Sequence, residues 1–208
     1  MIGYLLYSLI GYLSGSFLFA WWIPKVLFNI DTVSVSDDKN PGLFNAFRYG
    51  GKKCGVPALV CEITKGGLPV WLSLSRLDPE SILFAIVLAA PVIGHAFPVW
   101  HRFRGGKSIA VSFGVLLGLF PQTVPFLLLA GLYIFFSVGL IIDTNLWRSV
   151  TVFNLFGAGA IVLISAPGIR LGCLAVSAIV VAKHLAKRKG EPLSVRPFWR
   201  RTEQNRSN

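Results

Sequence analysis

The sequence GHAFPVWHRFRGGKSIA, residues 94–110, joins two apolar segments and carries two histidines, two arginines, a lysine and a pair of glycines. Adjacent glycines can turn backbone N–H groups toward a ligand, and a helix that begins near Ser108 would add the positive end of its dipole. Lys107 adds a full positive charge at the same place. The stretch therefore predicts an anion site, most simply one for phosphate. A second interpretation is a basic loop that only orients a membrane protein.

The composition places this stretch in a membrane protein. The chain has 208 residues, a mean hydropathy of +0.65, 54% apolar residues and only 14% charged residues, whereas soluble domains have about 25% charged residues. The net charge of +11 does not indicate nucleic-acid binding, because the positive residues lie in loops and a tail between apolar segments. The three cysteines form neither a metal-binding spacing nor a paired framework. We expect a single polytopic membrane domain, residues 1–208, with no metal and no cofactor.

The apolar segments predict an all-α integral membrane protein, because about 20 apolar residues cross a bilayer as a helix. We expect about seven transmembrane helices, at residues 2–24, 54–74, 81–100, 108–120, 124–142, 146–166 and 169–181. The first is interpreted as a retained helix because it has no basic n-region and no cleavage pattern. Between and after them lie a cytoplasmic loop at residues 25–53, a basic loop at residues 101–107, and a basic tail at residues 183–208 that is amphipathic or disordered.

The distribution of positive charge predicts the orientation. The loops after spans one, three and five, counted with the nearby Arg148, and the tail hold 17 of the 20 Lys and Arg residues, whereas only Arg76 and Arg170 lie on the opposite side. Cytoplasmic loops carry the excess of Lys and Arg. We therefore expect the N-terminus outside, the C-terminus inside, and the polar stretches on the cytoplasmic face.

Two further groups are expected to join the anion site at that face. Asn40-Pro41-Gly42 predicts a tight turn, and Asn45 and Arg48 would share one face of the helical turns that follow. Glu62 and Lys65, three residues apart inside the second span, would face the bundle interior as a pair; a lysine that snorkels to the interface is the alternative. The sequence shows no Ser-His-Asp order, no cysteine nucleophile and no metal-ligand cluster. An enzyme built from these groups would bind a phosphorylated, membrane-associated substrate and stabilise charge.

Several short motifs carry a family resemblance. They are Tyr12-Leu13-Ser14-Gly15-Ser16, Asn40-Pro41-Gly42 with Asn45 and Arg48, Gly51-Lys52-Lys53, Glu62 with Lys65-Gly66, Leu68-Pro69-Val70, Gly94-His95 with Phe97-Pro98, and Phe103-Arg104-Gly105-Gly106-Lys107. Their order and spacing resemble the bacterial acyl-phosphate–glycerol-3-phosphate acyltransferases, the PlsY family, over about the first 120 residues. The later segments match only in hydrophobicity.

The resemblance implies a seven-span enzyme of the bacterial inner membrane with its active site toward the cytoplasm. Such enzymes move a fatty acyl group from acyl phosphate to the 1-position hydroxyl of glycerol 3-phosphate, and the product is lysophosphatidic acid for phospholipid synthesis. The implied partners are these two substrates and membrane lipids, with no cofactor. The implied catalytic residues are Lys107, Arg48, His95 and Asn45. The implied substrate-binding residues are Asn40, Gly42, Lys65, Arg104, Gly105, Gly106, Ser108 and His184.

The chain departs from the family pattern in the first motif and in the last. Asp37-Asp38-Lys39 stand where the family usually has Gly-Ser-Gly, and Leu43-Phe44 replace a small residue and Thr. In the last motif, Lys187 stands where the family has Asn. Two alternatives therefore stay open beside the acyltransferase: a related enzyme with another acceptor, and a non-catalytic membrane protein that binds lipid or phosphate.

Overall fold

The computed structural model describes residues 1–186, 190 and 192–197, and within them the chain is almost entirely helical. The helices are α1 (Ile2–Gly15), α2 (Phe19–Phe28), α3 (Thr32–Val35), α4 (Leu43–Leu74), α5 (Phe84–Ala96), α6 (Ile109–Leu117), α7 (Val124–Ile134), α8 (Asn145–Leu163) and α9 (Pro167–Ala186). A 3₁₀ turn covers Val99–His101 and a π-helical turn covers Phe135–Gly139. Two short strands, β1 (Leu140–Ile142) and β2 (Val195–Pro197), complete the fold.

Length and composition identify fewer spans than the seven predicted. Within the described residues, three helical segments are long and apolar enough to cross a membrane: Phe84–His101, Asn145–Leu163 and Pro167–Ala186. The bent pair α1 and α2 is a fourth if it forms one span. Helices α6 and α7 have nine and eleven residues, well below the roughly 20 that cross a bilayer.

The predicted first span, residues 2–24, is broken in the structure. Helix α1 ends at Gly15, α2 begins at Phe19, and the two axes differ by 41°. A break inside a helix leaves backbone groups that need new partners. Here Lys65 and Glu62 of α4 supply these partners. The ammonium of Lys65 donates to the carbonyl of Phe17, and the N–H of Ala20 donates to Glu62 Oε1 over 3.2 Å.

The predicted loop at residues 25–53 is shorter than expected. Helix α2 extends to Phe28, α3 forms one turn, and α4 already begins at Leu43. Helix α4 runs on to Leu74 across a kink at Gly51, whose φ of 64° lies in the left-handed region. The N-terminal part of α4 therefore carries Asn45 and Arg48 on a helix, as the i, i+3 spacing predicted.

Close helix contacts hold the bundle together. Helix α1 packs against α5, and Gly15 lies so near the backbone of Pro91 that a Cβ atom would overlap it. Helix α4 packs against α6 in the same manner. A Cβ atom added at Gly67 would lie 2.7 Å from the carbonyl oxygen of Gly114. Small residues at such crossings allow backbones to approach closely in membrane proteins. The aromatic core includes Phe153, which is fully buried.

The fifth predicted span and the tail differ most from expectation. Helix α7 ends at Ile134, the π-helical turn follows, and β1 pairs antiparallel with β2 of the tail. Beside the paired strands, Arg196 Nε donates to Asp143 Oδ2 over 2.8 Å and Arg196 Nη2 donates to Asp143 Oδ1 over 2.5 Å. The expectation of an amphipathic or disordered tail is thus wrong for residues 195–197. Residues 187–189, 191 and 198–208 of the predicted tail lie outside the described residues.

Candidate active site

Three cavities meet at one end of the bundle, where the N-terminus of α4, the loop before α6 and the end of α9 converge. Their volumes are about 1040, 540 and 230 Å³. Asp38 and Lys107 line all three. The junction of the cavities therefore lies at these two side chains.

Lys107 and Asp38 form an ion pair at this junction. Lys107 Nζ lies 3.2 Å from Asp38 Oδ2, and the two side chains are 23% and 42% exposed. Asp38 Oδ1 accepts from Asn45 Nδ2 over 2.9 Å and from the backbone N–H of Asn40 over 3.2 Å. Partial burial alone would raise the pKa of Asp38, but the Asn45 hydrogen bond and the charge of Lys107 outweigh it, so the pKa is lowered. The carboxylate is consequently ionised at neutral pH.

The turn at residues 40–42 holds the Asp38 loop against α4. Asn45 Nδ2 donates to the carbonyl of Asn40 over 2.8 Å as well as to Asp38. Gly42 precedes the first turn of α4, and a Cβ atom there would collide with the side-chain amide of Asn40. Asn40, Gly42 and Asn45 therefore shape the loop that presents Asp38 to Lys107.

The smallest cavity brings Arg48 and His184 together with Lys107. The Arg48 residue is exposed, and its guanidinium lies over the Tyr49 ring at 5.5 Å from the centroid. His184 is buried on α9, with Nδ1 2.8 Å from the carbonyl of Val180. The structure thus brings together three of the residues that the family resemblance predicted, although more than 130 positions separate the first from the last.

The loop before α6 is held in an unusual backbone conformation. Arg102, Phe103 and Ser108 all have positive φ angles, which non-glycine residues rarely adopt outside constrained sites. Gly105 and Gly106 do not. They are needed for space instead, since a Cβ atom on Gly106 would overlap the imidazole of His95.

The hydrogen bonds of this loop differ from those predicted for a phosphate cradle. The N–H of Gly106 donates to the carbonyl of His95 over 3.1 Å, and Ser108 Oγ donates to the carbonyl of Val92 over 3.1 Å. Both groups therefore fasten the loop to α5. Arg104 is exposed and lines the largest cavity.

A buried triad lies beneath this loop. Lys65 Nζ is 2.7 Å from Glu62 Oε2, and His95 Nδ1 is 3.1 Å from the same oxygen and 2.9 Å from Lys65 Nζ. The prediction that Glu62 and Lys65 form an inward-facing pair is confirmed. The Lys65 ammonium is directed at Glu62, His95 and the Phe17 carbonyl and lines none of the three cavities, whereas Glu62 and His95 line the cavity of about 540 Å³. Lys65 thus contacts His95 and the carbonyl at the break between α1 and α2, and its role in substrate binding stays a prediction.

The cavities differ in chemistry. The one of about 540 Å³ is lined mainly by apolar side chains, among them Phe44, Phe47, Phe113 and Phe126, and it reaches Lys107. The other two carry cationic side chains around the same lysine. The arrangement can hold a hydrocarbon chain on one side of Lys107 and anionic groups on the other.

Sequence reasoning missed several residues that line the largest cavity. The Trp21 and His101 rings pack edge to face with their centroids 5.0 Å apart, and the Trp21 indole N–H donates to Asp31 Oδ1 over 2.9 Å. Lys183 donates to the Ala96 carbonyl over 2.8 Å. In the sequence, the only signal that Lys183 lies at the site is its position next to His184. Within the part of the chain that the structure describes, no group of three His, Cys, Asp or Glu side chains could hold a metal ion.

Comparison with known proteins gives a family match over most of the chain. A family model described as "Glycerol-3-phosphate acyltransferase" matches residues 5–189. A relative of that name from Hydrogenobaculum sp. (strain Y04AAS1) is 38% identical over 136 residues, which cover 65% of this chain and 68% of the relative. One from Myxococcus xanthus (strain DK1622) is 42% identical over 115 residues, covering 55% and 59%. For this relative and several others, the match spans 58–59% of their own length, somewhat less than two thirds.

Two solved structures share the fold. Both are crystal structures of PlsY (YgiH), an integral membrane glycerol 3-phosphate acyltransferase, and both are 26% identical in sequence to this chain. The glycerol 3-phosphate form has a TM-score of 0.73 and covers 88% of each chain. The lysophosphatidic acid form has a TM-score of 0.71 and covers 87% of each.

Proposed function

Because this chain belongs to the glycerol-3-phosphate acyltransferase family, an enzyme family of the membrane, we propose that it transfers a fatty acyl group to glycerol 3-phosphate. The acyl donor is an acyl phosphate, and the product is lysophosphatidic acid. The observation that carries the proposal is the position of Lys107 between an apolar cavity and two cavities with further cationic side chains, Arg48 in the smaller and Arg104 and Lys183 in the larger. That position suits a reaction that joins a hydrocarbon chain to a phosphorylated acceptor.

The proposed reaction needs no protein nucleophile. The hydroxyl oxygen of glycerol 3-phosphate attacks the carbonyl carbon of the acyl phosphate, and an ester bond forms. The bond between that carbon and the bridging phosphate oxygen breaks. The hydroxyl proton leaves with a phosphate oxygen, and inorganic phosphate is released. Two anionic substrates must approach each other, so the protein contributes mainly by positioning them and offsetting their charge.

The geometry supports the following roles for individual residues. Lys107 and Arg48 would bind substrate phosphate groups, with Arg104 and His184 at the edges of the same cavities. Asn45, Asn40 and Gly42 would position the first loop. His95 would act through the loop at Gly105 and Gly106, since its carbonyl accepts from the Gly106 N–H and its ring packs on the same residue.

The test is acyl transfer by purified protein in lipid, with palmitoyl phosphate and radiolabelled glycerol 3-phosphate. We expect lysophosphatidic acid from the wild type and a rate at least about 100-fold lower for Lys107→Ala, because a charge that stabilises the reacting groups is lost. Lys52→Ala is the matched control, since Lys52 is exposed on α4 and lines none of the three cavities. Folded wild type that forms no product from these substrates would refute the proposal.

We also propose seven membrane crossings in a bacterial inner membrane, with the N-terminus outside and the active site toward the cytoplasm. Support comes from the 17-to-2 distribution of Lys and Arg. In a variant without the native cysteines, an impermeant maleimide should label Ser75→Cys in intact cells but not Ser34→Cys. The reverse pattern would contradict the orientation.

A further inference from the structure

Asp38 places a fixed negative charge in the site where substrate phosphate is proposed to bind. Its carboxylate is held by three donors, the Asn45 amide, the Asn40 N–H and the Lys107 ammonium. The first two fasten Oδ1 to the loop and to α4, and the third engages Oδ2 with the cation. The hydrogen bonds to Oδ1 therefore fix the Asp38 carboxylate beside Lys107.

A phosphate group that contacts Lys107 must come close to this carboxylate. Both side chains line each of the three cavities, so an anion that reaches Lys107 from any of them meets Asp38 as well. Like charges brought together in a partly desolvated site oppose binding. A phosphate group that contacts Arg48 as well as Lys107 offsets part of this repulsion. An acyl chain in the apolar cavity adds affinity that inorganic phosphate lacks.

We propose that Asp38 is an affinity-determining residue that competes with phosphate groups for Lys107 and thereby lowers the affinity of the site for inorganic phosphate. The inference rests on the proposed function, in which inorganic phosphate is the released product. Under that reaction, Asp38 favours departure of the product and limits inhibition by phosphate in the cytoplasm.

The test compares Asp38→Asn with the wild type. Asparagine keeps an oxygen that can accept from Asn45 and from the Asn40 N–H, and it removes the charge facing Lys107. We expect the Kd for inorganic phosphate, measured by titration calorimetry, to fall by about fivefold to tenfold. Asp78→Asn is the matched control because it removes the same charge from the loop between α4 and α5 at the other end of the bundle.

A second variant shows whether the effect passes through the ion pair. In a Lys107→Gln background, Asp38→Asn should no longer strengthen phosphate binding, because the cation for which the two anions compete is gone. Equal Kd values for the wild type and Asp38→Asn would overturn the inference. So would an equal gain in Asp78→Asn, or a gain that persists without Lys107.

The binding readout separates this inference from the proposed function. If the wild type forms no lysophosphatidic acid, the proposed function fails, yet calorimetry with inorganic phosphate still tests Asp38. If acyl transfer is found, Asp38→Asn should also show a fivefold to tenfold lower inhibition constant for inorganic phosphate, about the change expected in Kd. Active protein whose phosphate inhibition is the same in both forms would refute the inference alone.

Discussion

Replacing Glu62 by Gln removes the counter-charge of a lysine that has no access to water. The Lys65 and Glu62 side chains are 2% and 1% exposed, and their charged atoms are 2.7 Å apart. Glutamine keeps an oxygen that can accept from the Ala20 N–H, but it cannot neutralise the ammonium. Removing one partner of a buried pair costs about 3–5 kcal/mol, because the other charge is left uncompensated.

The structure favours the upper half of that range for Glu62→Gln. The same carboxylate oxygen also contacts His95 Nδ1 at 3.1 Å, so the change disturbs two partners at once. Lys65 in turn donates to the Phe17 carbonyl at the break between α1 and α2. We therefore expect a loss of about 4–5 kcal/mol in the free energy of unfolding.

Reversible unfolding of the detergent-solubilised protein, followed by circular dichroism during an SDS titration, measures this loss. Glu80→Gln is the control, since Glu80 is an exposed residue in the loop before α5. The double variant Glu62→Gln with Lys65→Met should recover at least half of the loss, because replacing both charged partners removes the buried charge. A Glu62→Gln protein as stable as Glu80→Gln would refute the reasoning.

Three further predictions concern the site and the tail. Gly106→Ala should lower kcat at least about tenfold in protein that still elutes as one species, because the added Cβ displaces the His95 ring and with it the loop. Arg48→Gln should raise KM for glycerol 3-phosphate about tenfold with a smaller effect on KM for acyl phosphate, because a charge-assisted contact is lost. The contact with Arg196 lowers the pKa of Asp143, so this pair stabilises the fold above about pH 4 and loses that effect as pH falls through the lowered pKa. The small difference in Tm between wild type and Asp143→Asn should therefore be present at neutral pH and shrink as the pH falls below the ordinary pKa of an aspartate, about 4; a constant difference would contradict the assignment.

Local patterns in the sequence predicted the helices and part of the site. The i, i+3 spacing of Glu62 and Lys65 inside an apolar segment predicted an inward-facing pair, and the structure has it. The family and the enzyme class that the motifs suggested are confirmed by the family match over residues 5–189. Arg48, Lys107 and His184 line one cavity, as the resemblance led us to expect, while their roles stay predictions.

Features that depend on distant contacts could not be predicted. The break after Gly15 depends on Lys65, which reaches a carbonyl 48 positions away along the chain. The strand at residues 140–142 forms because the tail returns to pair with it, and neither segment has a strand pattern strong enough to indicate this. The two glycines before Lys107 were expected to turn N–H groups toward a ligand. The lack of a side chain at Gly106 makes room for the His95 ring, and the lack of one at Gly105 makes room for the His95 carbonyl.

Three of the residues that match the family motifs and two of those that depart from them differ in position. Glu62, Lys65 and His95 match, and they are buried beneath the site, where a change leaves an unpaired charge or a collision. Asp38 and Phe44 depart, and they are exposed at the walls of the cavities, where a substitution alters what can bind without disturbing the bundle. Motif order therefore carries the family and the enzyme class. The affinity for each anion depends on the wall residues, so it must be measured in this chain and cannot be transferred from its relatives.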